Sequence, residues 1–207
     1  MEYNGTKYLR VIDYKTGAKK FKLSDILYGL NLQMLLYLYS AKLNGFSRYG
    51  EITPAGILYM PATAPVITTE KLIDENKLNS ALDLSLKMNG LLLNDVNVIR
   101  GMDKSEKGRY IPVKIKLDTP LSDRSLATLE QFGKIFEKLD RLVADMGREL
   151  YGGNIQASPA KGAHNACEYC PYDSVCAYHM SDARNTFDIA NDEVYEKLRG
   201  EISGGEN

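Results

Sequence analysis

The chain has 207 residues, a formal net charge of −1, and 44% hydrophobic and 26% charged residues, values typical of globular proteins. These values exclude wholesale disorder, and 17 glycines with 7 prolines exclude a collagen-like composition. The longest apolar run, around residues 34–38, is too short to cross a bilayer, and the first residues lack the features of a secretion signal. We therefore expect a cytoplasmic protein without a membrane segment.

Charge is unevenly distributed along the chain. Residues 1–50 carry eight Lys or Arg and only three acidic residues, whereas the rest of the chain is net acidic. A basic first quarter favours an anionic partner, although solvated lysines around a turn give the same pattern.

The first predicted element is a strand over residues 8–14, preceded by the hairpin-turn dipeptide Asn4-Gly5. Because only Met1–Tyr3 precede that turn, we expect the fold to be truncated at its N-terminal side. A buried helix is predicted over residues 25–43, with Ser24 as its N-cap, and a buried strand over residues 55–60.

The second half is predicted to be mainly helical. Helices are expected over 69–88, 95–102 and 129–150, the last beginning with a Thr128–Gln131 capping box, and an edge strand over 110–117. The fold class is therefore α/β, with a mixed sheet flanked by helices. We expect three parts: a core over 1–153, an irregular cysteine segment over 154–181 and an acidic tail over 182–207.

Asp13-Tyr14-Lys15 places a carboxylate and an ammonium group on the same face of the first long strand, because side chains alternate along a strand. Asp13 and the carbonyl of Tyr14 are oxygen ligands suited to a divalent ion. Lys15 could supply positive charge for attack on a phosphodiester. A surface ion pair at the end of a strand is the common alternative.

The predicted helix 25–43 carries Gln33 and Tyr37 one turn apart, with Gly29 one turn earlier. A polar pair on an apolar helix needs hydrogen-bond partners. It is either an internal amide beside a core tyrosine, or part of a site with the Asp13–Lys15 strand. The run from Val11 to Gly17, followed by Gln33 and Tyr37, resembles the RecB-type branch of the PD-(D/E)XK nucleases.

All three cysteines, Cys167, Cys170 and Cys176, lie within ten positions, a spacing that favours a metal centre. Three thiolates leave a tetrahedral site one ligand short. His164 or His179 could complete a zinc site, and a remote fourth cysteine could complete a four-iron cluster.

Taken together, the Asp13–Lys15 strand, the Gln33–Tyr37 helix and the late cysteines resemble the nuclease domain of the AddB family of helicase/nuclease subunits. The resemblance implies an Mg²⁺- or Mn²⁺-dependent DNA exonuclease in double-strand-break repair, paired with an AddA-like subunit. It implies that Asp13 binds metal, that Lys15 assists the attacking water and that Gln33 and Tyr37 shape the site. It also implies a [4Fe–4S] cluster on Cys167, Cys170 and Cys176 with one upstream cysteine.

The sequence departs from that family's pattern at two points. The family has a further metal-binding Asp on the preceding strand, and its fourth cysteine lies further upstream; neither is present here. We therefore expect a fragment that is catalytically incomplete alone. The alternatives are a CRISPR-associated nuclease with similar motifs, a zinc-stabilised binding module, and a scaffold for a helicase subunit.

Overall fold

The structure is a computed structural model that describes residues 1–17, 20–63, 74–122, 124–176, 178 and 183–203. The chain divides into two compact units, Met1–Phe21 with Gln33–Gly133, and Lys22–Leu32 with Lys134–Asn207. Among the described helices, none is both long and apolar enough to span a bilayer. These two units differ from the three parts predicted from the sequence, 1–153, 154–181 and 182–207. That three-part division stays a prediction.

The first unit is built on a mixed sheet of five strands. Its elements in chain order are β1 (Glu2–Tyr3), β2 (Thr6–Lys15), α1 (Gln33–Asn44), α2 (Phe46–Tyr49), β3 (Ile52–Pro61), α3 (Glu75–Leu86), β4 (Asn89–Leu93), α4 (Val96–Met102), β5 (Lys114–Lys116), β6 (Thr119–Leu121) and β7 (Leu126–Ala127). The strand order in the sheet is β1-β2-β3-β4-β7. Strand β2 is parallel to β3, β3 is antiparallel to β4, and β4 is parallel to β7. The predicted α/β class with a mixed sheet and flanking helices is confirmed.

The two strands that position the site were predicted from their composition. Asn4 and Gly5 adopt positive φ angles of 49° and 76° and reverse the chain between β1 and β2. Beyond Tyr8, no described strand pairs with the outer edge of β2. The neighbouring β3 is almost wholly buried, which explains its continuous apolar sequence.

The predicted helix over 25–43 is wrong, because the chain breaks within it. A short 3-10 helix, Leu23–Tyr28, ends at Gly29, whose φ of +71° is left-handed, and α1 begins only at Gln33. Asn31 also has a positive φ of 53°. A right-handed helix cannot pass through two such residues. The sequence on both sides of the break is apolar, so hydrophobic periodicity alone did not indicate the break.

The predicted strand over 110–117 is also mostly wrong. Only Lys114–Lys116 forms a strand, and it pairs with β6 in a separate two-stranded sheet. Ile111 and Val113 are fully buried, but in a loop that packs into the core cluster of Leu58, Leu92 and Ile99. Their alternation therefore reflected burial rather than sheet pairing. Of the predicted helix 69–88, Glu75–Leu86 is helical and 69–73 lies outside the described residues.

The loop between α4 and β5 is organised around one buried carboxylate, Asp103. Its Oδ1 accepts a hydrogen bond from the backbone N–H of Ser105 at 2.9 Å, and its Oδ2 accepts one from the N–H of Arg109 at 3.0 Å. Burial alone would raise the pKa of Asp103, but hydrogen bonds from Ser105, Tyr110 and Arg109 outweigh it and lower that pKa below 3.8. The loop is therefore built around the charged form.

We expect Asp103→Asn to lower the free energy of unfolding by about 1–2 kcal/mol at neutral pH, because two backbone donors lose a charged acceptor. The folded-state pKa lies below the unfolded value of 3.8, so this contribution is present above pH 3.8 and is lost as the pH falls through the folded-state pKa. Urea unfolding of both proteins between neutral pH and strong acid checks this. A difference that stays constant across that range contradicts it.

The second unit contains the 3-10 helix together with α5 (Leu129–Tyr151) from Lys134 onward, β8 (Ala160–Gly162), α6 (Asp173–Cys176), β9 (Arg184–Thr186) and α7 (Asn191–Ser203). The capping box predicted at the start of α5 is present, with reciprocal hydrogen bonds of 2.8 and 3.2 Å between Thr128 and Gln131. Helix α7 packs against the 3-10 helix, and β8 pairs with β9 in parallel.

Candidate active site

Asp13 and Lys15 lie on one face near the end of β2 and form an ion pair between the Lys15 ammonium group and Asp13 Oδ2. Both side chains are about three-quarters buried. Apart from that ion pair, Asp13 Oδ2 is a buried oxygen without a hydrogen-bond partner among the described residues. A carboxylate oxygen in this position can accept a cation or a donor that is not a part of the fold.

Asp13 and two tyrosines shape the electrostatics of Lys15. Its hydrogen bond to Asp13 raises the pKa of the ammonium group, burial opposes that effect, and the charges of Asp13, Tyr59 and Tyr37 add to the rise. The ammonium nitrogen also lies 5.6 Å from the centre of the Tyr59 ring. Lys15 is therefore held in its charged form at neutral pH.

Helix α1 places Gln33 and Tyr37 on its exposed face, not on a buried one as the sequence suggested. The Gln33 amide donates a hydrogen bond to the Tyr37 hydroxyl at 3.0 Å. Tyr37 lies within electrostatic reach of Lys15, and Gln33 is connected to that group through Tyr37. Gly29, predicted to continue this line, instead caps the 3-10 helix of the second unit.

A cavity of about 250 Å³ opens beside Lys15. Its lining residues come from the end of β2, the loop that follows, β3, and the segment between α3 and β4: Lys15, Thr16, Gly17, Lys20, Tyr59, Pro61, Thr63, Ser85, Lys87 and Asn89. The side-chain oxygen of Asn89 accepts a hydrogen bond from the Phe21 N–H at 2.7 Å and holds Phe21 in place. The sequence analysis did not identify Tyr59, Lys87 or Asn89 as site residues. The only sequence signal for a cationic cavity here was the excess of lysines around residue 20.

The three cysteines, all free thiols, line one cavity of about 280 Å³ in the second unit. Ala157, Pro159 and Ala166 make part of its wall. Within the described ranges, however, no three His, Cys, Asp or Glu side chains lie close enough to hold a metal ion. The structure therefore brings Cys167, Cys170 and Cys176 to a common cavity without assembling a ligand set.

The family model of the PD-(D/E)XK nuclease superfamily matches residues 2–177 of this sequence. The chain belongs to that superfamily. The match contains the Asp13–Lys15 strand, the Gln33–Tyr37 helix and the cysteines, so the resemblance to PD-(D/E)XK nucleases seen in the sequence is confirmed.

Curated relatives of this chain are named as a subunit of an ATP-dependent helicase/deoxyribonuclease. The protein of Clostridium kluyveri is 40% identical over 92% of this chain, and that of Ruminiclostridium cellulolyticum is 40% identical over 99% of it. A Thermoanaerobacter protein is 34% identical over 95% of the chain. The chain spans only 17–18% of the length of these relatives. The predicted likeness to the AddB family is thus confirmed.

A PD-(D/E)XK nuclease implies a divalent metal ion, and the donors at Asp13 fit one. Mg²⁺ sites in proteins commonly use one or two carboxylates, with water and substrate phosphates completing the shell. Asp13 supplies a carboxylate with a buried oxygen whose sole described partner is a lysine. Tyr14, whose ring is exposed, would contribute its carbonyl oxygen alone.

His164, a predicted zinc-ligand candidate, has a structural partner. Its Nε2 lies 2.7 Å from Oδ1 of Asp25, a buried residue of the 3-10 helix, and Oδ2 of Asp25 accepts a 2.6 Å hydrogen bond from the Asn31 amide. This pair connects the cysteine segment to the 3-10 helix. His179, the other zinc candidate, lies outside the described residues.

We expect Asp25→Ala to destabilise the second unit by about 1–2 kcal/mol, because it leaves His164 and Asn31 without their buried acceptor. Thermal unfolding followed by circular dichroism measures the loss. Exposed Asp145, in α5, provides the matched control Asp145→Ala. Equal melting temperatures for the Asp25 variant and the wild type would show that the pair has no structural role.

Proposed function

We propose that this chain is the metal-dependent DNA-hydrolysing part of an AddB-type helicase/deoxyribonuclease subunit, acting as an exonuclease in double-strand-break repair. The observation that carries the proposal is the Asp13–Lys15 pair beside a lysine-lined cavity in a chain that matches the PD-(D/E)XK superfamily. Relatives named for deoxyribonuclease activity over almost the whole chain support it.

Each site residue then has a distinct role. Asp13 and the Tyr14 carbonyl hold Mg²⁺ or Mn²⁺, and such an ion supplies positive charge to a phosphodiester in its transition state. Lys15, held charged, orients the attacking water and stabilises the negative charge that develops on the phosphate. Tyr37, hydrogen-bonded by Gln33, lies within electrostatic reach of Lys15 and favours its charged form.

The register of the β1–β2 hairpin defines where a further metal ligand would lie. Met1 pairs with Tyr8 through backbone hydrogen bonds of 2.8 and 3.1 Å, in register with the Glu2–Lys7 and Tyr3–Thr6 pairs. If the natural protein continues this strand before Met1, the fifth residue before Met1 would lie opposite Asp13. Its side chain would be on the same side of the sheet as that of Asp13. An acidic residue there would complete the metal site.

DNA degradation with and without divalent metal tests the proposal. We expect the natural protein, at its full length, to shorten end-labelled linear DNA from its ends with Mg²⁺ or Mn²⁺ and to stop when EDTA removes the metal. Degradation that persists in EDTA would contradict the metal-dependent mechanism. Internal nicking of a closed circle in place of end shortening would contradict exonuclease action.

We propose that Cys167, Cys170 and Cys176 bind a [4Fe–4S] cluster with a structural role. Their position around one cavity with little polar lining supports this, because four-iron clusters are held by thiolates in protein pockets. Elemental and sulfide analysis after anaerobic purification of the natural protein tests the proposal. Iron and sulfide are expected; zinc without iron would favour the zinc-stabilised module instead.

We also propose an AddA-like helicase subunit as the partner in a heterodimer, because the relatives are named as one subunit of a helicase/deoxyribonuclease. Co-purification of the natural protein with such a partner is the expected result. Failure of the intact proteins to associate would contradict the assignment.

A further inference from the structure

A second cavity of the first unit, of about 510 Å³, is lined by four cationic side chains: Lys87, Lys107, Lys114 and Arg124. The other described lining residues are Pro112, Leu121, Ser122 and Ser125, so none of the described lining residues is acidic. The three lysines around this opening repel one another, and an arrangement of this kind is stabilised by a bound polyanion.

Three acidic side chains of the described part of this unit, Asp83, Glu106 and Asp118, are already paired with arginines. Arg100 contacts Glu106 at 2.6 Å and Asp118 at 2.5 Å, and the guanidinium group of Arg109 contacts Asp83 at 2.9 Å. By contrast, Lys87, Lys107 and Lys114 form no ion pair with any residue that the structure describes. Their positive charge is therefore directed to the cavity rather than cancelled within the fold.

Backbone hydrogen bonds hold the lining segments in place. The N–H of Met88 donates to the carbonyl of Tyr110 at 2.9 Å, and the N–H of Ile115 donates to the carbonyl of Glu106 at 2.8 Å. The loop between α4 and β5 is also held by the hydrogen bonds that Asp103 accepts from Ser105 and Arg109. Because this loop is already ordered, ligand binding does not carry the entropic cost of ordering it.

Lys87 lines both this cavity and the one beside Lys15. The two cavities therefore share Lys87 in their walls. Lys15 and Lys20 line the first cavity, and Lys107 and Lys114 line the second. Lysines in two cavities that share a wall residue match a ligand that carries a negative charge at each repeat, as a nucleic-acid backbone does.

We propose that this cationic cavity binds backbone phosphates of the DNA strand whose end lies at Asp13 and Lys15. This inference rests on the proposed function and extends it by assigning Lys87, Lys107 and Lys114 as strand-binding residues. Phosphate contacts of this kind position a strand without reading its sequence. The residues contribute to binding and alignment of the substrate, and they take no part in the chemical step.

Fluorescence anisotropy of a labelled oligothymidine, titrated with the 207-residue chain in EDTA at several salt concentrations, tests the proposal. We expect Lys107→Gln/Lys114→Gln to weaken binding about tenfold at low salt and to reduce the slope of log affinity against log salt by about 0.7 per lysine. The control variant Lys42→Gln/Lys77→Gln removes two exposed lysines of the same unit. It should leave the affinity and its salt dependence unchanged. Lys107→Arg/Lys114→Arg should restore binding.

The proposal is overturned if the wild-type chain does not bind the oligonucleotide, or if the Gln double variant binds with unchanged affinity and salt dependence. Because EDTA removes any metal, the assay depends on neither hydrolysis nor Asp13. Binding without DNA hydrolysis would contradict only the proposed function. Hydrolysis with binding unaffected by the substitutions would contradict only this inference.

Discussion

Asp13→Asn should reduce metal-dependent DNA hydrolysis by the natural protein about 10³-fold or more, since the loss of a metal-binding charge removes several kcal/mol of transition-state stabilisation. The substitution keeps the shape of the side chain and removes its charge. It also removes the ion pair that positions Lys15. Initial rates of release of labelled nucleotide in Mg²⁺ provide the measurement.

Two further variants make that result specific. Lys15→Gln should cost about 10²-fold, because it removes a charge from the transition state but leaves the metal ligand in place. Asp145→Asn removes an exposed carboxylate of α5 and should leave hydrolysis unchanged. Near-wild-type rates for Asp13→Asn, with hydrolysis still abolished by EDTA, would place the metal elsewhere.

Gly56→Ala should lower the free energy of unfolding by roughly 2–6 kcal/mol, through backbone strain and overpacking together. Gly56 has a φ of +132°, and a Cβ there would lie 2.3 Å from the carbonyl oxygen of Leu91 on the neighbouring β4. Backbone on both sides fixes this contact, so β3 or β4 must shift. Gly56 also follows the register shift between β2 and β3 that sets Asp13 opposite Tyr59.

Gly133→Ala is the matched control for that substitution. Gly133 lies inside α5, and a Cβ added there meets no atom within 4 Å. Alanine should therefore stabilise the helix by about 0.5–1 kcal/mol, through its higher helix propensity. Urea unfolding of both variants measures the two effects. If Gly56→Ala proved as stable as the wild type, the close approach of β3 and β4 would be disproved.

The parts of the fold that sequence predicted are those where local chemistry and tertiary packing agree. The Asn4-Gly5 turn, the strand that follows it and the capped helix α5 each carry their own backbone signals and match the structure. Residues 55–60 lie within β3, where an apolar run coincides with full burial. In the candidate site, the Asp13–Lys15 pairing followed from strand alternation alone.

The parts that sequence did not predict depend on long-range packing. Gly29 and Asn31 break an apolar segment whose pattern alone fits one continuous helix. Ile111 and Val113 are buried by a loop folded around Asp103, which local alternation cannot distinguish from a strand. Lys87 and Lys107 are far from Lys15 in sequence, and only the folded chain relates them.

The central claim is that Asp13 and the Tyr14 carbonyl bind a divalent metal ion beside Lys15. Mn²⁺-induced broadening of backbone amide NMR signals tests this claim most directly. Paramagnetic Mn²⁺ broadens signals of nearby nuclei even when binding is weak, so the measurement does not require an active enzyme. We predict selective broadening at Asp13, Tyr14 and Lys15, and at Tyr59, the β3 partner of Asp13, that Asp13→Asn abolishes. Broadening that bypasses these residues, or that persists unchanged in Asp13→Asn, would contradict the metal site.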